Sequence, residues 1–131
     1  MADLARLFPQ EFWDEVDLLS GIVASKRRSQ SLPELLQLWS RYASVLARNE
    51  QIHLDDYSPM LFARDLIQQV IDMASLRTRQ ILEALISSDD SLFLFGTQRD
   101  DREIVKQAHV HAGTGWWWSR VPKALVLDYD V

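Results

Sequence analysis

Apolar side chains recur every three or four positions over most of residues 9–96. That spacing follows the turn of about 3.6 residues of an α-helix and commits the chain to amphipathic helices. Phe12, Val16, Leu19 and Val23 set the first stripe, behind Pro9, whose missing N–H is tolerated in an opening turn. Acids stand near the start of this helix and Lys26, Arg27 and Arg28 at its end, the order that complements the helix dipole. Residues 29–31 are a polar break. Ser31 and Glu34 then match the Ser-x-x-Glu capping box and open a second helix, with Leu35, Leu38, Trp39, Tyr42, Val45 and Leu46 as one stripe and an end near Asn49. Asp55 or Asp56 caps a short turn through Tyr57, and Ser58 with Pro59 signals a new start. The third helix is therefore expected from about Met60 to Met73, burying Leu66, Ile67, Val70 and Ile71 with Phe62 and Met73 at its edges. Ser75 caps a fourth helix through Leu82, Leu85 and Ile86, with an extension past Asp89 and Asp90 to Phe93 and a stop at Gly96.

After Gly96 the pattern changes. Residues 97–103 are polar, residues 104–115 have no firm period, and Gly113 and Gly115 bracket Thr114 before three consecutive tryptophans. No repeat or linker separates this stretch from what precedes it. With 131 residues the chain is one domain long. The expectation is all-α: a single helical domain over residues 1–131, with a bundle of about four helices over about 9–96 and a packed, irregular, tryptophan-rich arm over about 97–131. Residues 124–131 have strand character, but a single strand finds nothing to pair with in this scheme.

Hydrophobic residues make up 47% and charged residues 25%, a globular balance, and no run approaches the roughly 18 apolar residues of a membrane span. The absence of cysteine excludes disulfides, thiolate metal sites and cysteine nucleophiles. Met1, Ala2, Asp3, Leu4, Ala5 and Arg6 have neither the basic start nor the apolar core of a signal peptide, so the cytoplasm is the expected compartment. The formal charge is −5, from 19 acids and 14 bases. Residues 1–25 hold Asp3, Glu11, Asp14, Glu15 and Asp17 against Arg6, and residues 50–72 hold Glu50, Asp55, Asp56, Asp65 and Asp72 against Arg64, so each stretch is net −4. Such fields repel nucleic acid and attract basic proteins.

Catalytic patterns are weak. His109 and His111 would share one side of a strand, but no third ligand is offered nearby, and a zinc site normally needs three protein ligands. His53 reads as a loop histidine. The serines have no nucleophile elbow, and Gly113 to Gly115 is too short for a phosphate loop and lacks its lysine. Asp55 with Asp56, and Asp89 with Asp90, are adjacent; neighbours on a helix diverge by about 100°, so adjacency creates no shared acid–base site. Trp116, Trp117 and Trp118 are the most unusual feature, and five tryptophans in so small a chain point first to packing: at least one should seal the helices near Trp39 and Tyr42, with another partly exposed at a groove edge. Arg120 would lie on a ring or pair with an acid.

Leu36, Leu38, Trp39 and Arg41, then Asp55-Asp56-Tyr57, Arg64-Asp65-Leu66-Ile67 and Trp116-Trp117-Trp118-Ser119-Arg120-Val121-Pro122 together resemble a family of small uncharacterised bacterial proteins that end in a tryptophan-rich Arg-Val-Pro signature. The likeness covers about residues 32–123; the Phe12-Trp13 helix and the tail at 125–131 depart from it. It implies no catalytic assignment. The small, acidic, motif-poor profile also resembles immunity proteins of bacterial polymorphic-toxin and contact-dependent growth-inhibition systems, which bind a cognate toxin domain.

The function expected is accordingly non-enzymatic: a protein-binding module, most concretely an immunity protein that neutralises a basic toxin such as a nuclease by blocking its active cleft. Glu11, Asp14, Glu15, Asp17, Asp55, Asp56 and Trp117 are the candidate partner contacts, with no catalytic residue, metal, cofactor, nucleic acid or membrane involved and the oligomeric state open. The alternative is a small carboxylate- or metal-dependent hydrolase using acids with His109 or His111.

Overall fold

A computed structural model describes residues 14–15, 32–108 and 113–126. Three long helices form its frame: α1 (Leu32–Ala47), α2 (Leu54–Met73) and α3 (Leu76–Gly96), followed by a short α4 (Ile104–Ala108). Strand β1 (Ile52–His53) precedes α2, β2 (Thr97–Arg99) follows α3, and after a 3-10 turn at Trp116–Ser119 come β3 (Arg120–Pro122) and β4 (Leu125–Val126). The fold is all-α, with an arm that carries small strands.

α1 buries Leu32, Leu35, Leu36, Trp39, Ala43 and Leu46, and it lies chiefly against α3. Its stripe is rotated from the expected one, since Leu38, Tyr42 and Val45 are only half-buried. The helix ends as foreseen at Asn49, whose φ of 59° is tolerated by that side chain. The Asn49 N–H donates to the Leu46 carbonyl at 2.9 Å and the Glu50 N–H to Val45 at 3.4 Å, the paired bonds of a Schellman ending. The Ser31 cap expected at the other end lies outside the described residues.

α2 corrects one expectation. It starts at Leu54 and runs through Pro59, with no separate turn before Met60. Proline at this depth removes a single bond, the one that would reach the carbonyl of exposed Asp55, while Asp55 and Asp56 favour the positive end of the helix dipole. The Ser58 hydroxyl donates back to the Leu54 carbonyl at 3.3 Å.

α3 opens on Ser75, whose hydroxyl accepts the Thr78 N–H. Gly96 ends it for a reason other than a left-handed cap, because no glycine among the described residues has positive φ. A Cβ there would stand 2.3 Å from the carbonyl carbon and oxygen of Leu46, so glycine lets the ends of α1 and α3 touch backbone to backbone. Two arginines close the long helices behind them. Arg79 donates to the carbonyls of Ile71 (3.2 Å), Asp72 (3.1 Å) and Ala74 (3.5 Å) at the end of α2. Arg120 donates to those of Leu94 (3.2 Å) and Thr97 (2.8 Å) at the end of α3, and to the Thr97 hydroxyl at 3.1 Å. Among the described residues Arg120 therefore meets neither a tryptophan ring nor an acid; a positive side chain at a helix C-terminus satisfies carbonyls that would otherwise lack donors.

The arm does find strand partners, contrary to expectation. β4 lies parallel to β1, Ile52 opposite Leu125 and His53 opposite Val126, and β3 is antiparallel to β2, with Gln98 opposite Val121. These pairings return residues 113–126 to the bundle, where Trp117, Trp118 and Val121 join Val105, Trp39 and Phe93 in one buried core. No helix among the described residues is long and apolar enough to cross a membrane.

Candidate functional site

Consecutive residues on a helix point about 100° apart, and α2 uses this at Arg64 and Asp65 to reach in two directions. Arg64 turns toward α1 and α3. Its Nε and one terminal nitrogen donate to the two oxygens of Asp90, both at 3.1 Å, and the other terminal nitrogen donates to Gln68 Oε1 at 3.0 Å. Trp39 Nε1 donates to Asp90 Oδ1 at 2.9 Å. The Arg64 side chain is 4% exposed and that of Asp90 19%, so the pair is drawn into the interior, and its fork-to-carboxylate geometry meets the desolvation that burial imposes. The guanidinium carbon also lies 4.4 Å from the centre of the Trp117 ring and 5.9 Å from that of Trp39. A single cation thus bridges the bundle and the arm.

Asp65 turns toward the arm. It accepts the indole N–H of Trp117 at 2.7 Å and that of Trp118 at 2.9 and 3.0 Å to its two oxygens. Both indoles are buried, so this carboxylate supplies acceptors to donors that water does not reach. Around it the rings interlock: Phe62 stands edge-on to Trp118 with centroids 5.1 Å apart, Phe93 packs on Trp39 at 4.9 Å, and Trp116 stands edge-on to Phe93 at 5.8 Å and to Trp117 at 5.5 Å. Buried Tyr57 donates to the Arg120 carbonyl at 2.8 Å; burial, reinforced by nearby Asp100, raises its pKa.

Between α2 and the arm a cleft of about 280 Å³ is lined by Asp65, Gln68, Gln69 and Asp72 on one side and residues 113–115 with Trp117 on the other. Gln68 Nε2 donates to Asp72 Oδ1 at 2.9 Å, completing a row from Arg64 through Gln68 to Asp72. A larger depression of about 550 Å³ lies by residues 98–104. Its charges are of both signs: Arg99 pairs with Asp101 at 3.2 Å, and Asp100 turns inward to accept the N–H groups of Ile104 and Val105, each at 3.0 Å, at the start of α4.

The expected contact residues are dispersed. Glu11 and Asp17 lie outside the described residues, as do His109, His111 and the basic triplet at 26–28. Asp14 is exposed. Glu15 accepts from the Ser75 N–H at 2.6 Å, the Ser75 hydroxyl at 2.9 Å and the Thr78 hydroxyl at 3.0 Å. Chiefly the Ser75 backbone bond holds its carboxyl below the usual glutamate range, against an opposing desolvation effect. Asp55 and Asp56 are exposed in the first turn of α2, and Glu15 meets the chain just past the other end of that helix, so the two acidic groups stand apart by the length of α2, about 30 Å. Trp117 is 4% exposed and belongs to the interior; Trp116, at 41%, is the outward-facing member of the triplet. Among the described residues no three histidines or acids gather where a metal ion would be held.

The side chains of this junction not expected from the sequence are Arg64, Asp65 and Asp90. A signal was present for two of them: Arg64 interrupts the helical series Met60, Ile67, Ile71, and Asp90 falls between Ile86 and Phe93, all buried apart from Asp90 itself. Charges in core-facing register are rare without partners. Asp89, beside Asp90, has its pKa raised mainly by burial, opposed by a hydrogen bond with Ser40 and reinforced by the charge of Asp90.

Comparison with protein-family models, with curated proteins and with solved structures finds no match.

Proposed function

We propose that the chain is a non-enzymatic protein-binding module, an immunity protein of the bacterial cytoplasm that neutralises a basic toxin domain, such as a nuclease, by covering its active cleft. The observation that carries this reading is the division of labour among the carboxylates. Asp65, Asp90 and Asp100 are bound by indole, guanidinium or backbone donors and hold the arm and α4 in place, whereas Asp56 stands exposed in the first turn of α2. Carboxylates already serving as fixed acceptors for structural donors are poor candidates for proton transfer, and exposed ones contribute to the field that steers a basic partner. Trp116 adds a half-exposed indole of the kind that anchors interfaces. The tryptophan-rich Arg-Val-Pro signature supports membership of the small bacterial family it resembles. Co-expression with the product of the adjacent gene tests the proposal: a stable complex that protects cells from that product supports it, and absence of both complex and protection removes it.

A further inference from the structure

We infer that the outward face of α3 pairs with the same face of a second copy of this chain, in an antiparallel arrangement with its two-fold axis near Ser88. Two apolar rows run along α3. Thr78, Leu82, Ile86 and Phe93 belong to the buried one. Ile81, Leu85, Leu92 and Phe95, with Ser88 in the middle, recur at steps of three and four and form a second row on an adjoining face. Ile81 and Leu85 are half-buried against the core, whereas Leu92 is 38% and Phe95 67% exposed. The core face of this helix is already satisfied, so a further apolar row that ends on an exposed aromatic ring marks an interaction surface.

The row carries both a projection and the hollow that fits it. Around Ile81 lies a depression of about 480 Å³ lined by Arg77, Gln80, Ile81, Ala84 and Leu85, kept open where Ala84 carries only a methyl group. Phe95 stands about 21 Å further along the same helix. A two-fold axis near Ser88 exchanges these positions, so each Phe95 enters the depression at the partner's Ile81 and both contacts form at once. Such a self-complementary contact closes at two copies. Small side chains at Ala84, Ser88 and Ser91 let the two helices approach where they cross. Charge argues against a basic protein as the occupant. Among the described residues the depression is lined by no carboxylate, Arg77 stands at its rim, and Lys123 Nζ lies 5.2 Å from the centre of the Phe95 ring.

The test is sedimentation equilibrium of the full chain from about 10 μM to about 1 mM. One helix face buries less than the ~1,000 Å² expected of a tight complex, so a dimer with a dissociation constant of the order of 0.1 mM is expected. It should tighten as salt screens Arg77 from the partner's Lys123. Phe95→Ser, at an exposed position, and Ala84→Gln, which fills the depression, should each weaken dimerisation about tenfold or more and leave the melting temperature at 10 μM nearly unchanged. The chain has no cysteine, so single-cysteine variants report the axis directly. Ser88→Cys should form a disulfide-linked dimer under mild oxidation; Gln80→Cys, whose two copies would lie about 24 Å apart, should not. A monomer at about 1 mM, dimerisation indifferent to both Phe95→Ser and Ala84→Gln, or equal cross-linking of the two cysteine variants overturns the assignment. So does a chain that stays monomeric but loses its complex with the adjacent gene product in Phe95→Ser, which would give this face to that protein.

Discussion

Removing the carboxylate of Asp65 should loosen the arm. In Asp65→Ala, the indole N–H groups of Trp117 and Trp118, whose residues are 4% and 0% exposed, lose acceptors at 2.7 to 3.0 Å. Each buried donor left without a partner costs about 1–3 kcal/mol, so the pair gives about 2–6 kcal/mol, a large share of the ~5–15 kcal/mol that holds an ordinary domain folded. With a urea dependence of about 2 kcal/mol per molar, the unfolding midpoint should fall by about 1–3 M. Asp65→Asn keeps one carbonyl oxygen and should lie between the two. Tryptophan fluorescence follows the global transition, and the indole N–H resonances of Trp117 and Trp118 report whether the arm leaves first. The decisive control is Trp118→Phe, which removes one donor together with its need for an acceptor: Asp65→Ala should cost measurably less in that background. A midpoint within roughly 0.3 M of wild type for Asp65→Ala, or the same cost in both backgrounds, would show that the carboxylate does not hold the indoles.

The other predictions concern the same junction and the acidic end. Trp117→Ala and Trp118→Ala should each cost about 3–5 kcal/mol and Trp116→Ala far less, read as melting temperatures; three wild-type melts would reassign the cluster to binding. Arg64→Ala should destabilise by about 3–5 kcal/mol because Asp90 is left largely buried without its cation, and Arg64→Lys should recover only part, since an ammonium lacks the two-pronged geometry. The Glu15 carboxyl is held below its ordinary value of 4.5, so its ionised form favours the folded state. That contribution is fully present above pH 4.5 and fades as the pH falls through the lowered folded value, so wild type and Glu15→Gln should differ in melting temperature at neutral pH and converge in acid. A constant difference across the acid range would mean that Glu15 acts through packing.

The helices were legible because their signals are local. The extents of α1 and α3, the Ser75 cap and the turn at Asn49 all involve residues within a few positions of one another, whereas which face of α1 is buried depends on α3 and differs from the local stripe. Fusion of the Asp55 turn with α2 was not legible, because a proline in the sixth helical position and one in an opening turn look alike in sequence. Nor were the strands: β1 has two residues and β2 three, too short for any period, and their partners lie more than 20 positions away. The split within the tryptophan triplet is visible in general terms, since a short turn cannot bury three successive large rings on one side. Which ring faces outward depends on the positions of Phe93 and Asp65, 23 and 51 residues before Trp116.

The acidic runs show a different limit. The stretch at 50–72 carries a formal −4, yet Glu50 accepts from Arg48 at 2.7 Å, Asp65 holds two indoles, and Arg64 is neutralised by Asp90 from another helix. Charge counted along the chain therefore differs from charge presented to a partner, because α2 uses an adjacent cation and anion, both reaching Trp117, to fasten the arm. A reversal experiment must respect that distinction. Changing Asp65 or Glu15 to lysine alters stability as well as field, so a slower association could come from either cause. Exposed Asp56 offers a cleaner comparison. Its reversal should lower the melting temperature only slightly, through the helix dipole, while it slows association with a basic partner and reduces the dependence on ionic strength. If association is indifferent to the substitution from low to high salt, steering by the face of α2 is wrong, whatever the net charge of the chain.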